Sequence, residues 1–120
     1  MTTIRLSVAG KSMTATLTDS AASRDFVQML PLTLELSDYA STEKIADLPK
    51  KLSTAGAAAG YEPSVGDITY YAPWGNLAIF YRDFGYASGL VSLGRIIQGA
   101  EHLKFSGSQK VTIEVIASQR

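Results

Sequence analysis

The side chains best suited to chemistry crowd into one stretch, Gly66–Ile97, which carries the single Trp, four of the six Tyr and two of the four Phe. Tyr71, Trp74 and Phe84 offer large rigid contact area, the material of a ligand groove. Trp74 lies inside a Pro-Trp-Gly turn and is the ring expected to be exposed. Asn76 brings amide hydrogen-bonding capacity. Arg82, beside Asp83 and close to Phe84, brings a cation that binds a carboxylate bidentately or donates to a peptide amide. Tyr71, Trp74, Asn76, Arg82 and Phe84 are therefore the expected ligand site. Each also has an ordinary structural reading: the rings pack a core or decorate turns, and Arg82 pairs on the surface with Asp83 or Glu43. Arg24 and Arg95 are weaker cations of the same kind. Of Tyr70 and Tyr71, alternation sends one inward and the other outward.

Other chemistries fall away by count. The absence of cysteine removes disulfides, thiol catalysis and cysteine-bound zinc together. His102 is the only histidine, so no triad or metal cluster forms around a pair, and its setting in Gln98–Lys104 reads as a helix surface. Asp67 after Gly66 suits a turn cap. The glycines from Gly85 to Gly94 match neither Gly-x-Gly-x-x-Gly nor a Walker pattern. No metal and no cofactor are expected. Eleven basic residues balance eleven acidic ones, leaving no excess to neutralise phosphates, so nucleic acid is not an expected partner. Zero net charge also leaves self-association unopposed, and a homodimer stays open. No stretch approaches the roughly 20 apolar residues of a membrane helix. The opening MTTIRLSVAGKSM has no apolar run of signal-peptide length, and the cytoplasm is the default expectation.

The elements that must position these residues read mainly as strands. At 120 residues, 46% apolar and 18% charged, the chain suits one domain with a core that needs no staples. Thr3–Val8 and Ser12–Thr18 alternate cleanly around Ala9-Gly10-Lys11, predicting a hairpin. Asp19 or Ser20 caps a helix of about three turns, ended by Pro31. Leu32, Leu34 and Leu36 alternate as a third strand. Asp38–Lys51 gives mixed signals, and only a loop with a short strand or helical turn is expected there. Ser53–Gly60 reads as a surface loop, a candidate lid. Asp67–Ala72 and Asn76–Arg82 are strands joined by the Pro73–Asn76 turn. Leu90–Ile97 is strand-like, with Gly94 as a bulge or close-approach point. Gln98–Leu103 suits a short helix, and Lys110–Ala117 a last strand with Val111, Ile113 and Val115 inward. Seven or eight short strands with turn punctuation favour a closed barrel or sandwich.

The run GDITYYAPWGNLAIFY, followed after a short loop by LVSLGRI, resembles the bacterial cyclophilin-like fold proteins. RDFVQMLPLTLELSDYASTEKIADLPKKLS and GYEPSVGDI resemble the same family, so the similarity covers nearly the whole chain. The resemblance implies a closed cyclophilin-like β-barrel of about eight strands, with one early helix and a short later helical turn. It implies no settled activity. True cyclophilins are peptidyl-prolyl isomerases in which an arginine donates to the prolyl nitrogen and weakens amide resonance as the bond rotates. This chain departs from that pattern. No arginine stands in Tyr61–Val65 ahead of Gly66-Asp67, and the isomerase Gln-Phe-Phe segment is met at best by Leu77-Ala78-Ile79-Phe80. The expected function is binding of a small molecule or extended peptide in an aromatic groove. A weak prolyl isomerase using Arg82 is the alternative, and a protein-interaction module presenting exposed aromatics is the second.

Overall fold

The computed structural model describes residues 2–118, the side chain of Ser118 aside. β1 (Thr2–Val8) and β2 (Lys11–Leu17) form the expected hairpin, closed at Val8↔Lys11. Ala9 and Gly10 both take positive φ, 50° and 77°, the backbone whose twist matches the flanking strands. Helix α1 (Ala21–Gln28) starts where the Ser20 hydroxyl accepts from the Ser23 N–H at 3.1 Å. It is eight residues long, nearer two turns than three. The approach of Pro31 shortens it: Met29 and Leu30 donate to Phe26 and Val27, three residues back, which tightens the chain and ends the helix. Ala22, Ser23 and Phe26 face the barrel, and the Ser23 hydroxyl donates to the Leu93 carbonyl at 2.9 Å.

The remaining strands are β3 (Leu32–Tyr39), β4 (Glu43–Asp47), β5 (Gly60–Tyr61), β6 (Asp67–Tyr71), β7 (Asn76–Phe80), β8 (Ala87–Ser88), β9 (Leu90–Gln98) and β10 (Ser108–Ser118). A single 3-10 turn, Ala100–Leu103, separates the last two. Eight strands close an antiparallel barrel in the order β1-β10-β3-β4-β7-β6-β9-β2, and β5 pairs with β8 in a small ribbon apart from it. Closure leaves the barrel no free edge. Ile4, Leu6, Met13, Leu77, Ile79 and Ile113 are among the fully buried side chains that fill it. Gly94 is a close-approach point, as expected. A Cβ there would lie 2.0 Å from the Thr16 carbonyl oxygen.

The short strand allowed for in the mixed segment after Asp38 is β4, a full barrel stave paired with β3 and β7. Its alternation was hidden because a lysine occupies an inward position. Lys44 is 1% exposed, its ammonium held by Asp38 Oδ1 at 3.2 Å and by the Phe105 carbonyl, and 4.1 Å from the Phe105 ring centroid. Val115 is not inward but 40% exposed. Pairing of β10 with β3 stops at Ile113↔Leu32, so Val115 lies beyond the stave that covers Val111 and Ile113.

Candidate functional site

Strands β4 and β7 run side by side with Glu43 opposite Phe80, Ile45 opposite Ala78 and Asp47 opposite Asn76. Alternation turns Lys44, Ala46, Leu77 and Ile79 the other way, and all four are buried. On the Glu43 side, Ala78, Phe80 and Leu90 form a second apolar cluster, backed by Ile45, Tyr61, Tyr71 and Ala87. A hollow of about 190 Å³ opens above this cluster. Its floor is Ile45, Phe80, Ala87 and Leu90, and its walls are Tyr39, Tyr71, Trp74 and Phe84. Glu43 and Asn76 are its other lining side chains.

The β6–β7 turn sets the tryptophan. Trp74 and Gly75 both donate to the Tyr71 carbonyl, at 3.2 and 2.9 Å, and Gly75 takes φ 71°, which suits glycine. The indole therefore stands between two tyrosines, edge to face with each: 5.7 Å and 84° from Tyr39, 5.4 Å and 83° from Tyr71. Phe84 stacks on Phe80 at 6.3 Å with 27° between planes. Its loop is tied down by Phe84 N–H to the Pro63 carbonyl at 3.1 Å and Val65 N–H to Asp83 Oδ1 at 2.9 Å.

The polar groups are few. Asn76 is 3% exposed, and its Nδ2 donates to the Leu77 carbonyl at 3.2 Å. Its Oδ1 is buried without a hydrogen-bond partner among the described residues. A buried acceptor left unpaired is costly, and most such groups are satisfied in native proteins. Glu43 is half-buried and makes no ion pair with any described residue. Burial pushes its carboxyl up to about 6.

Of the five expected site residues, Tyr71, Trp74, Asn76 and Phe84 meet in this hollow. Arg82 does not. It is exposed and borders a different depression with Tyr81, Lys104, Phe105 and Ser106. Its sequence parity matches Asn76, Ala78 and Phe80, but the β4–β7 ladder ends at Phe80↔Glu43. Past that pair nothing enforces alternation. Neither expected ion pair forms among the described residues: Asp83 receives Val65, and Glu43 faces the hollow. Glu43 and Tyr39 were missed as lining residues. The signal was the Glu43–Ile45–Asp47 alternation, concealed by Lys44.

The other candidates are occupied. Asp67 caps its turn, with Oδ2 receiving the Ser64 N–H at 2.7 Å and the Tyr61 hydroxyl at 3.0 Å, and it pairs with Arg95 at 3.0 Å. Arg24 pairs with Asp19 at 2.8 Å. Ala55–Ala58 of the candidate lid border a neighbouring depression with Asp19–Ala22, which shares only Leu90 with the lining of the aromatic hollow. Among the described residues there is no group of three or more His, Cys, Asp or Glu placed to hold a metal. No described helix is long and apolar enough to cross a membrane.

A family model described as the cyclophilin-like family matches residues 6–114. No curated protein matches the chain. Among solved structures, the solution structure of the hypothetical protein AF2241 from Archaeoglobus fulgidus has the same fold. It is 14% identical, with a TM-score of 0.69 over 96% of this chain and 95% of that one. At that identity the likeness speaks for the barrel alone. With the family match running from β1 into β10, the chain belongs to the cyclophilin-like family.

Proposed function

We propose that this domain is a binding module that takes a small molecule, or one side chain of an extended peptide, into the hollow between Trp74 and Phe84. The observation that carries this reading is the Asn76 side chain, nearly fully buried at the wall of an apolar hollow with one oxygen unpaired. A few polar groups set into an apolar, aromatic concavity are the ordinary design of a small-ligand site. The size supports one ring-sized guest, since a cavity of roughly 150 Å³ admits benzene.

The isomerase alternative relied on Arg82 as donor, and Arg82 lies outside this hollow, which no arginine or lysine among the described residues lines. Exchange NMR on labelled protein with a short Ala-Pro peptide and a panel of ring-bearing fragments separates the readings. Binding predicts amide shifts at Tyr71, Trp74, Asn76 and Phe84, with peptide cis/trans exchange at its uncatalysed rate of tens to hundreds of seconds. Acceleration of that exchange would move the isomerase reading ahead. A silent hollow across the whole panel would remove the binding reading.

A further inference from the structure

We infer that the hollow selects organic cations, an apolar ring or short chain carrying a primary or secondary ammonium group, an inference that rests on the hollow being a ligand site.

Three observations point the same way. First, the amide and the carboxyl that line the hollow offer it acceptors, the Tyr39 and Tyr71 hydroxyls accept as readily as they donate, and the Trp74 indole N–H is the donor-only group of the lining. Asn76 Nδ2 is already given to the Leu77 carbonyl, leaving Oδ1 as the free valence, and Glu43 contributes a carboxyl that no described residue neutralises. A guest with N–H donors meets both needs, and an anion meets neither. Second, the walls are aromatic. Tyr39 and Tyr71 stand nearly perpendicular to Trp74, so rings in different planes border one space. Ring faces carry negative charge density, and an ammonium among them is attracted most strongly where water is displaced. Third, no Lys or Arg among the described residues lines the hollow. Arg82 and Lys104 border another depression, and Lys44 is turned into the barrel against Asp38 and Phe105. The half-buried Glu43 carboxyl, held near 6 by desolvation, is ionised above neutrality and gains most from a bound positive charge. A quaternary ammonium would satisfy the rings and Glu43 but has no N–H for Asn76, which favours primary and secondary amines.

The test uses the lone tryptophan as its own reporter. Trp74 fluorescence is titrated at pH 8 with 2-phenylethylamine, 2-phenylethanol and 3-phenylpropanoate, three probes sharing a ring and differing in charge. The amine is expected to bind at least tenfold more tightly than the propanoate, with the alcohol between them. In Glu43→Gln the amine is expected to lose about tenfold while the alcohol changes less than twofold. Equal binding of all three, or a preference for the propanoate, overturns cation selection and leaves the hollow standing as an apolar site. An amine preference undiminished in a folded Glu43→Gln protein overturns the assignment to that carboxylate. No response to any probe, in fluorescence or in the amide shifts of Trp74 and Phe84, overturns the site itself and the cation inference with it.

Discussion

Trp74 stands edge-on to Tyr71, ring centroids 5.4 Å apart and planes 83° apart, while the Tyr71 carbonyl accepts the Trp74 N–H at 3.2 Å. One residue thus sets both the backbone of the turn and the orientation of the indole. A side chain that is 60% exposed is thereby held in one pose, with Tyr39 bracing its other side.

Trp74→Ala removes two edge-to-face contacts and little buried area. Such pairs contribute about 0.5–1.5 kcal/mol each. A stability loss of about 1–2 kcal/mol by urea unfolding is expected, with an intact barrel. Ring-bearing ligands should lose measurable affinity by calorimetry. A loss well above that range would mean that Trp74 serves the fold before it serves a ligand.

Asn76→Leu separates the same two roles from the other side. Truncating a satisfied buried polar group usually costs about 1–3 kcal/mol. Leucine gives up the Nδ2 hydrogen bond to the Leu77 carbonyl but also removes an oxygen that has no partner among the described residues, so the near-isosteric change should leave stability unchanged within about 1 kcal/mol. Ligands with N–H donors should bind more weakly. Thermal melts alongside titration read both effects.

Glu43 makes stability depend on pH in a definite direction. Its carboxyl is raised from an ordinary 4.5 to about 6 by burial, so the folded state binds the proton more tightly than the unfolded state does. The penalty is absent below about 4.5, grows through the window between 4.5 and 6, and is complete above 6. Glu43→Gln should therefore stabilise the protein at pH 8, by about 1 kcal/mol once partial exposure is discounted, and change little at pH 4. Comparing the melting temperatures of the two proteins at both pH values checks the sign.

Gly94→Ala should be severe. The added Cβ would lie 2.0 Å from the Thr16 carbonyl oxygen and 2.7 Å from Leu17 Cα, both backbone atoms of β2. The β2–β9 seam cannot yield without opening the barrel, so a loss above about 3 kcal/mol or failure to fold is expected. Soluble expression and circular dichroism report it. Gly10→Ala, with no atom within 4 Å of the new Cβ, is a control that changes only turn strain.

Much of the architecture was legible in the residues. Period-two alternation marked the hairpin, β3, β7 and β10, turn residues on either side marked β6, and Ser20 with Pro31 bracketed the helix, because these signals are local. The family resemblance supplied closure. Tyr71, Trp74 and Asn76 were legible as neighbours because one tight turn carries all three. Tertiary structure alone decided the rest. Alternation separates two faces of a strand without saying which is wet, and that choice fell when β4 docked on β7. Docking buried Lys44 inside and brought Glu43 and Tyr39 to rings more than thirty residues further along the chain. It also ended the ladder at Phe80, which released Arg82 from the face its parity suggested. Local spacing wrote the strands, and long-range pairing, which no local pattern encodes, chose the charge that faces the hollow.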